Sequence, residues 1–438
     1  MALTSREWAR PPDPEPGPVT TSSQSASALS EPSSQTTYTT TRWARWLWWL
    51  VLAVLLVAAV AVGQHPRRGV DFRVYLTAAE RFIEGTDLYR VSDGTMPFKY
   101  APITAPLFIP FSLLPSRMAV ALWNVGSILA LIAVARLTRR APHGAGEAPP
   151  WSWGPPLATI ALLPAFTFEL FYGQVDVVML LLVVVSALGA ERGQVWRPGA
   201  AFAVAFLLKP PAALIGLFFL WRRHWKVIGA TAVFGALLCL PTLARYGWDG
   251  TLAQFQLWSE TLARTTPPWV LSTNAQGLPT LFISLFYPGS LETPPGATIT
   301  LAQLVALTVF LVGVAWARPG PADLLALCCL GVTLLSPLAW RANYVLAWPL
   351  VRAATEGRAR GNLTLVAVIA FIGTVFSDKG LGFDWSHHVM LMRPFALIYT
   401  ALLIATLWQV RKQGSLSAMT PGDTLARLPR TLRGMRAS

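Results

Sequence analysis

The sequence predicts an all-α membrane protein that crosses the bilayer many times. Of its 438 residues, 54% are hydrophobic and only 13% are charged, about half the charged fraction of a soluble domain. Long apolar runs such as 43–63, 297–317 and 394–410 approach the roughly 20 residues that a helix needs to cross a bilayer. Because lipid offers no water to backbone polar groups, runs of this kind must be helical.

The positive charge of the chain predicts membrane topology and not a nucleic-acid partner. The formal net charge is +14, but the basic residues collect where apolar runs end. These clusters are Arg139 with Arg140, Arg222 and Arg223 with Lys226, Arg358 with Arg360, and Arg411 with Lys412. Basic loops beside membrane helices mark the cytoplasmic side.

Three regions follow from the composition. Residues 1–41 are rich in Pro, Ser and Thr and cannot bury a core, so they predict a disordered tail. Arg42 and Arg45 precede the first apolar run and place that tail in the cytoplasm. Residues 42–410 form the membrane domain, and the basic segment 411–438 is predicted to be a cytoplasmic tail.

Alternating the runs across the bilayer gives about ten full spans, with every basic cluster inside. Segment 101–115 has four prolines and is predicted to dip in from the outside, whereas 199–220, broken at Lys209, dips in from the cytoplasm. The predicted external loops include 64–100, 246–296 and 378–393. The full spans are predicted at 43–63, 117–137, 155–170, 177–190, 227–245, 297–317, 322–336, 342–352, 361–377 and 394–410.

An amphipathic helix is predicted directly after the first span, over residues 72–84 and ended by Gly85. Its apolar face carries Phe72, Tyr75, Leu76, Ala79, Phe82 and Ile83. Asp71 stands at the start of this helix, at the external membrane edge. It has two interpretations: an N-cap of the helix, or a general base that meets a lipid-linked substrate.

A second ionisable residue, Lys209, lies inside the apolar stretch AFAVAFLLKPPAALIGLFFL. A cation at membrane depth is costly and by default indicates a functional site. An ammonium on a broken helix suits the phosphate of a lipid carrier. The alternative is a lysine that snorkels to the membrane surface or pairs with Glu169 or Asp176.

Two further polar segments lie at the same predicted membrane edge. FELFYGQVD contains Gln174 and Asp176, and SPLAWRANY contains Arg341 and Asn343. Arg341 is suited to hold a phosphate through two hydrogen bonds. The alternatives are ordinary interfacial polarity for the first segment and an aromatic-belt anchor for the second. In DWSHH, adjacent histidines do not face the same way on a helix, so no metal site is predicted.

Five of these segments, in order, resemble glycosyltransferase family 87, a family of the GT-C class. They are DFRVYLTAAERFIEGTDLY, FKYAPITAPLFIPFSLLP, FYGQVDVVMLLLVVV, LLKPPAALIGLFFLWRRHWK and SPLAWRANYVLAWP. The resemblance covers most of residues 43–410. It implies a GT-C-like bundle of about ten to twelve transmembrane helices, with an external interface helix and a site at the outer face of the cell membrane.

The resemblance also implies an enzyme that moves a sugar, mannose or another hexose or pentose, from a polyprenyl-phosphate carrier to a lipid or glycan acceptor. Asp71 takes the place of the family's catalytic aspartate, which deprotonates the acceptor hydroxyl. Lys209 matches its KP block, and Gln174 its GQ block. Arg341, Asp176, Asn343 and Tyr75 complete the set of residues predicted to bind the substrates. Neither a cofactor nor a nucleic-acid partner is expected.

The sequence departs from the family at two points. Tyr100 is followed by Ala101 and Pro102, where the family has paired prolines, and two histidines expected after Trp340 are absent. These departures bear on which sugar and acceptor are used. A transporter or flippase of lipid-linked sugars is the main alternative, since it would share broken helices and intramembrane charge, but no internal repeat is seen. A non-catalytic scaffold would disperse the polar residues that here cluster at one face.

Overall fold

The computed structural model describes residues 35–94, 96–138, 152–287, 293–356 and 360–412. Residues 1–40 and residues 41–438 form two units. Only residues 35–40 of the first unit are described, and all other described residues belong to the second unit. The predicted tails 1–41 and 411–438 lie almost wholly outside the described ranges. All regular structure within those ranges is helical, which confirms the predicted all-α class.

The helices of the first half lead to a long, bent helix that ends at Thr265. In chain order they are α1 (Gln35–Gln64), α2 (Val70–Glu84), α3 (Ile109–Ser112), α4 (Ser116–Thr138), α5 (Gly154–Ala161), α6 (Leu163–Tyr172), α7 (Asp176–Glu191), α8 (Trp196–Leu208), α9 (Ile215–Trp221) and α10 (Trp225–Thr265).

The helices of the second half include two long ones and several short ones. In chain order they are α11 (Leu278–Phe286), α12 (Gly296–Ala317), α13 (Pro321–Leu334), α14 (Trp348–Glu356), α15 (Arg360–Val375), α16 (Asp378–Leu381), α17 (Phe383–Leu391) and α18 (Pro394–Lys412). Short 3-10 helices lie between them and between the earlier helices, at Val91–Asp93, Pro102–Phe108, Pro210–Leu214, Pro267–Trp269 and Arg341–Ala347.

Five helices within the described residues are long and apolar enough to cross a membrane: α1, α4, α10, α12 and α18. The pair α5 and α6 makes a sixth if it is one span bent by 65°. The predicted spans 322–336 and 361–377 fall on the shorter apolar helices α13 and α15, and the predicted hairpin 199–220 begins on the shorter apolar helix α8. The chain is therefore a multi-pass membrane protein, whereas the count of about ten spans stays a prediction.

Prolines and a glycine explain where the helices break. Lys209 adopts an extended backbone between α8 and the next 3-10 helix, because Pro210 disfavours the helical conformation in the residue before it; the predicted break is confirmed. Gly247, at φ 67°, bends α10. The predicted external loop at 246–296 is only partly right, because α10 continues to Thr265 and α11 lies further on. The predicted span 342–352 begins instead with a 3-10 helix.

Segments predicted to face the same side of the membrane contact one another. Within the set predicted to be external, the Gly69 amide donates to the Phe171 carbonyl at 2.8 Å, and Arg393 donates to the Ser272 carbonyl at 2.5 Å. In the set predicted to be cytoplasmic, Arg222 pairs with Glu191 at 2.8 Å. The third contact lies at the end of α7, whereas Asp176 starts that helix.

The start of α2 overturns one of the two interpretations of Asp71. Gly69 is the N-cap, in the left-handed conformation, so Asp71 lies inside the first turn and does not cap the helix. The predicted apolar face is buried through Phe72 and Tyr75, but Ile83 is 46% exposed and does not belong to it. Gly85 ends the helix as predicted, at φ 73°.

Candidate active site

Helix α2 is held at both ends, which fixes the position of Asp71. At its start, Gly69 is tied to the last turn of α6 by the hydrogen bond to Phe171. At its end, Arg245 of α10 donates to the Phe82 carbonyl at 2.9 Å. Tyr246 donates its hydroxyl to the Thr86 carbonyl, also at 2.9 Å. Arg245 also donates to the Ile83 carbonyl, and the last carbonyls of a helix have no intrahelical donors.

The turn between α6 and α7 meets Asp71 through Gln174. The Gln174 side-chain amide donates to Asp71 Oδ2, and its own backbone is fixed because its carbonyl accepts from Trp123 Nε1 at 2.9 Å. Gly173 ends α6 at φ 71°, and a Cβ there would lie 2.7 Å from the Phe72 Cβ. Only glycine allows this turn to approach α2 so closely.

Burial makes Asp71 a stronger base than an ordinary aspartate. Desolvation raises its pKa from 3.8 to about 6, against the lowering effects of Lys209 and Lys99, while Asp176 adds a smaller upward push. A carboxylate with a pKa near the operating pH is better suited to accept a proton than an exposed one. The helix packing described above therefore gives Asp71 the electrostatics of a general base.

 Asp176, the first residue of α7, has a different environment from Asp71. It is fully buried, and its two oxygens accept from Lys209 Nζ at 2.7 and 2.8 Å. Asn343 Nδ2 donates to Asp176 as well, at 2.9 Å. The pairing of Lys209 with Asp176, one of the two predicted alternatives, is present in the structure.

Lys209 nevertheless remains partly accessible from outside the cluster that Asp71, Gln174, Asp176, Lys209 and Asn343 form. Its side chain is 19% exposed, whereas that of Asp176 is 0% exposed. Asn343 is fixed in turn, because its Oδ1 accepts from the Trp340 amide at 2.9 Å. An ammonium held in this way by one carboxylate has a third donor left for another anion.

Tyr75 joins the cluster through a residue that the sequence analysis did not assign to the site. Its hydroxyl lies 2.8 Å from the hydroxyl of Tyr100, and the Tyr100 carbonyl accepts from Tyr89 at 2.5 Å. Burial raises the pKa of Tyr100 to about 12, so both phenols are neutral hydrogen-bonding groups. Tyr100 belongs to the stretch FKYAPI, whose resemblance to the family was the available signal.

Lys99, next to Tyr100, was also missed. Its ammonium donates to the Thr265 carbonyl at 3.2 Å, and its carbonyl accepts from Trp258 Nε1 at 3.0 Å. Burial lowers the pKa of Lys99, and the charge of Asp71 opposes that effect. A second cation therefore acts on Asp71 besides Lys209.

Arg341 and Glu169 stand apart from the hydrogen bonds just described. The Arg341 guanidinium lies over the Phe168 ring, 4.4 Å from its centroid, and both Arg341 and Asp71 act electrostatically on Tyr172. Glu169 is buried, and its Oε1 accepts from the Val177 amide at 3.0 Å. That contact satisfies a free amide at the start of α7.

The DWSHH segment does not gather metal ligands. His388 Nδ1 contacts the Asp384 carbonyl at 2.7 Å, and His387 stacks on Phe383. Across the ranges that the structure describes, no group of three or more His, Cys, Asp or Glu side chains is placed to hold a metal ion. The expectation that the enzyme needs no metal stays a prediction.

Comparison with known proteins decides the family. The sequence model of glycosyltransferase family 87 matches residues 98–340, more than half of the chain. The chain belongs to glycosyltransferase family 87. The match contains Gln174, Asp176 and Lys209, whereas Asp71 and Asn343 lie outside it.

Curated relatives of this family 87 member come from mycobacteria. One, from Mycolicibacterium smegmatis, is a polyprenol-phosphate-mannose-dependent alpha-(1-2)-phosphatidylinositol mannoside mannosyltransferase. It is 27% identical over 362 residues, covering 78% of this chain and 71% of the relative. A Mycobacterium tuberculosis pentamannoside mannosyltransferase is 27% identical, covering 66% and 67%.

A third relative, the pentamannoside mannosyltransferase of M. smegmatis, is 32% identical over 176 residues. That match covers 37% of this chain and only 40% of the relative's own length. The likeness to these enzymes is therefore broad in two cases and local in the third.

Proposed function

We propose that the protein is a membrane glycosyltransferase that moves mannose from a polyprenyl-phosphate carrier to a hydroxyl of a lipid or glycan acceptor. The observation that carries the proposal is Asp71, whose pKa is raised to about 6 by burial and which has no ion-pair partner among the described residues. Family membership supplies the reaction class, and the mannose-dependent relatives supply the choice of donor.

The reaction is a single displacement at the anomeric carbon. Asp71 accepts the proton of the acceptor hydroxyl while that oxygen forms a bond to the anomeric carbon. The bond from this carbon to the phosphate oxygen breaks, and polyprenyl phosphate leaves with the electron pair. One displacement inverts the anomeric configuration. A phosphate is a good leaving group, so no general acid is required.

The cations stabilise the charge that develops on the leaving phosphate. Lys209 is the foremost of these, because it is partly exposed and already oriented by Asp176. Arg341 provides a second, bidentate group once it leaves the Phe168 ring. Gln174 holds Asp71 in place, while Asn343 and Tyr75 offer polar groups for the sugar hydroxyls.

The site is proposed to face the outside of the cell membrane. The basic loops define the cytoplasmic side, and the contacts of Asp71, Gln174 and Asn343 gather at the other end of the helices. Donor, acceptor and surrounding lipids would all reach the site from within the membrane. Neither a cofactor nor a nucleic-acid partner is part of the proposal.

Cysteine labelling tests this orientation. In a background in which the three native cysteines are replaced by serine, Glu260→Cys should react with a membrane-impermeant maleimide added to intact cells. Arg223→Cys should react only after the membrane is opened. Both residues are exposed, so access depends on the side of the membrane. The reverse pattern would overturn the orientation.

Transfer itself is tested with the purified protein in detergent, supplied with radiolabelled polyprenyl-phosphate mannose and phosphatidylinositol mannosides extracted from mycobacterial membranes. We expect a labelled, larger glycolipid with the wild-type protein and about 100- to 10,000-fold slower formation of it with Asp71→Asn. In proteoliposomes, movement of the labelled donor across the bilayer without any transfer product would identify a transporter and refute the proposed enzyme.

A further inference from the structure

A cavity of about 670 Å³ opens close to the candidate active site. It lies between the segment at Val91 and Gly94, the end of α10 at Arg264 and Thr265, the loop that follows, and His387 on α17. Its volume falls within the range of about 300 to 1,000 Å³ that is typical of small-molecule sites. None of the residues assigned to the donor or to the base lines it.

The loop 268–276, whose residues up to Asn274 form one wall of the cavity, is held by a buried arginine. Arg393 is only 2% exposed, and its guanidinium donates to the carbonyls of Leu271 at 2.8 Å, Ser272 at 2.5 Å and Ala275 at 3.0 Å. Gln276 adds a bond to the Met390 carbonyl at 2.9 Å. Burying a charge to satisfy backbone carbonyls fixes the loop before any ligand arrives.

The side chains on this wall suit a carbohydrate. Trp269 offers a flat aromatic surface against which the apolar face of a sugar ring can pack. Thr273 and Asn274 supply a hydroxyl and an amide, which can donate and accept toward sugar hydroxyls. Arg264 adds a planar fork of donors at the rim. The cavity is also lined by the apolar side chains of Val91, Pro268 and Leu271. Apolar and aromatic surface can pack against the C–H faces of sugar rings while the neutral polar groups meet their hydroxyls.

Lys99 connects this cavity to the proposed base. Its ammonium donates to the carbonyl of Thr265, which lines the cavity, and its charge acts on Asp71. A cation whose charge acts on Asp71 is thus bonded directly to a residue of the cavity lining.

We propose that this cavity binds the glycan of the acceptor, at sugar units beyond the one that receives the new residue. This inference rests on the proposed function, since it assigns the acceptor side of the same site. It gives the enzyme a preference for acceptors whose glycan is long enough to reach Trp269 and Asn274.

Equilibrium binding tests the inference without requiring transfer. Octyl α-mannoside and an octyl α-mannotrioside are titrated into the purified full-length protein by calorimetry. We expect the trioside to bind at least about tenfold more tightly, and both Trp269→Ala and Asn274→Ala to abolish that preference. Trp248→Ala is the matched control, because Trp248 is 68% exposed and lies outside the cavity; it should keep the preference.

Equal affinity for the two glycosides in the wild-type protein would overturn the inference, as would an unchanged preference in the Asn274→Ala variant. Asn274→Ala decides the matter even if loss of Trp269 prevents folding. Trioside binding that depends on both residues, in a protein that transfers no mannose, would refute the proposed function and leave the glycan site standing.

Discussion

Two aspartates of the same cluster, Asp71 and Asp176, have opposite environments. Asp176 has no exposed side-chain surface, and Lys209 and Asn343 satisfy its oxygens. Asp71 is partly exposed and receives a hydrogen bond from the neutral amide of Gln174. Desolvation without an ion pair raises the pKa of the Asp71 carboxyl, whereas the Asp176 carboxylate holds the Lys209 ammonium through both of its oxygens. The comparison assigns proton transfer to Asp71 and positioning of Lys209 to Asp176.

The largest effect is expected from Asp71→Asn. Asparagine preserves the size of the side chain but cannot accept the proton, so turnover should fall about 100- to 10,000-fold. Asp249→Asn is the matched control, because Asp249 is exposed on α10 and should leave turnover unchanged. Steady-state transfer of labelled mannose measures both. Near-normal turnover in Asp71→Asn would remove the base assignment.

The same variant should not be less stable than the wild type. The pKa of Asp71 is higher in the folded protein than its ordinary value of 3.8, so the folded state binds the proton more tightly than the unfolded state. Its stabilising contribution is present below about pH 4 and lost as the pH rises through about 6. At neutral pH, Asp71→Asn removes the buried charge, so the melting temperature should stay the same or rise. A clear fall in melting temperature would mean that misfolding contributes to any loss of activity.

Breaking the ion pair between Lys209 and Asp176 by removing the lysine should reduce both the stability of the protein and its affinity for the donor. Lys209→Met leaves the buried Asp176 carboxylate without its cation, a change that typically costs about 3 kcal/mol or more. Arg222→Met, which breaks the more exposed pair with Glu191, should cost no more than about 1 kcal/mol. Thermal unfolding and donor affinity are measured on both variants. An unchanged donor affinity in Lys209→Met would make that lysine purely structural.

A smaller loss is expected when Asp71 keeps its carboxylate but loses its amide partner. Gln174→Ala removes a side-chain donor to Asp71 Oδ2, and a hydrogen bond to a charged group contributes about 1.5 to 3 kcal/mol. We expect turnover to fall roughly tenfold or more, with little change in donor affinity. A loss confined to donor affinity would assign Gln174 to the donor rather than to the base.

The smallest effect separates backbone strain from packing at the turn before Gln174. Gly173→Ala forces a methyl group to within 2.7 Å of the Phe72 Cβ, whereas Gly193→Ala has a similar φ of 74° and meets nothing within 4 Å. Both variants should lose about 1 kcal/mol through strain. Only Gly173→Ala should lose more, and only it should reduce turnover. Equal losses of stability and activity in the two variants would show that the close approach to α2 has no functional role.

Local patterns were enough to predict the helical class, the break at Lys209 and the end of α2 at Gly85, because proline and glycine act on the backbone beside them. The five family-like segments also contain Asp71, Gln174, Asp176 and Lys209, which the structure joins in two hydrogen-bonded pairs; that they act on the substrates stays a prediction. Sequence could not show that Gly69, and not Asp71, caps α2, because that depends on how α2 packs against α6. Nor could it choose between Asp176 and Glu169 as the partner of Lys209, since both lie in the same short segment.

Lys99 and Tyr100 show a second limit of the sequence. Their side chains reach the cluster only because the segment before the 3-10 helix Pro102–Phe108 folds against α2 and α10. The loop at 246–296 was misjudged for a similar reason: α10 bends at Gly247 and continues, so a drop in hydropathy marked a bend and not the end of the helix. Contacts between segments distant in sequence determine both features.

The pH dependence of transfer tests the role of Asp71 most directly. The account predicts that wild-type kcat/KM for the acceptor rises as the pH increases and reaches half of its plateau at about pH 6, the pKa of Asp71. The residual activity of Asp71→Asn should not show this rise with pH. A wild-type profile with no change around this pH, or the same rise in Asp71→Asn, would contradict the account.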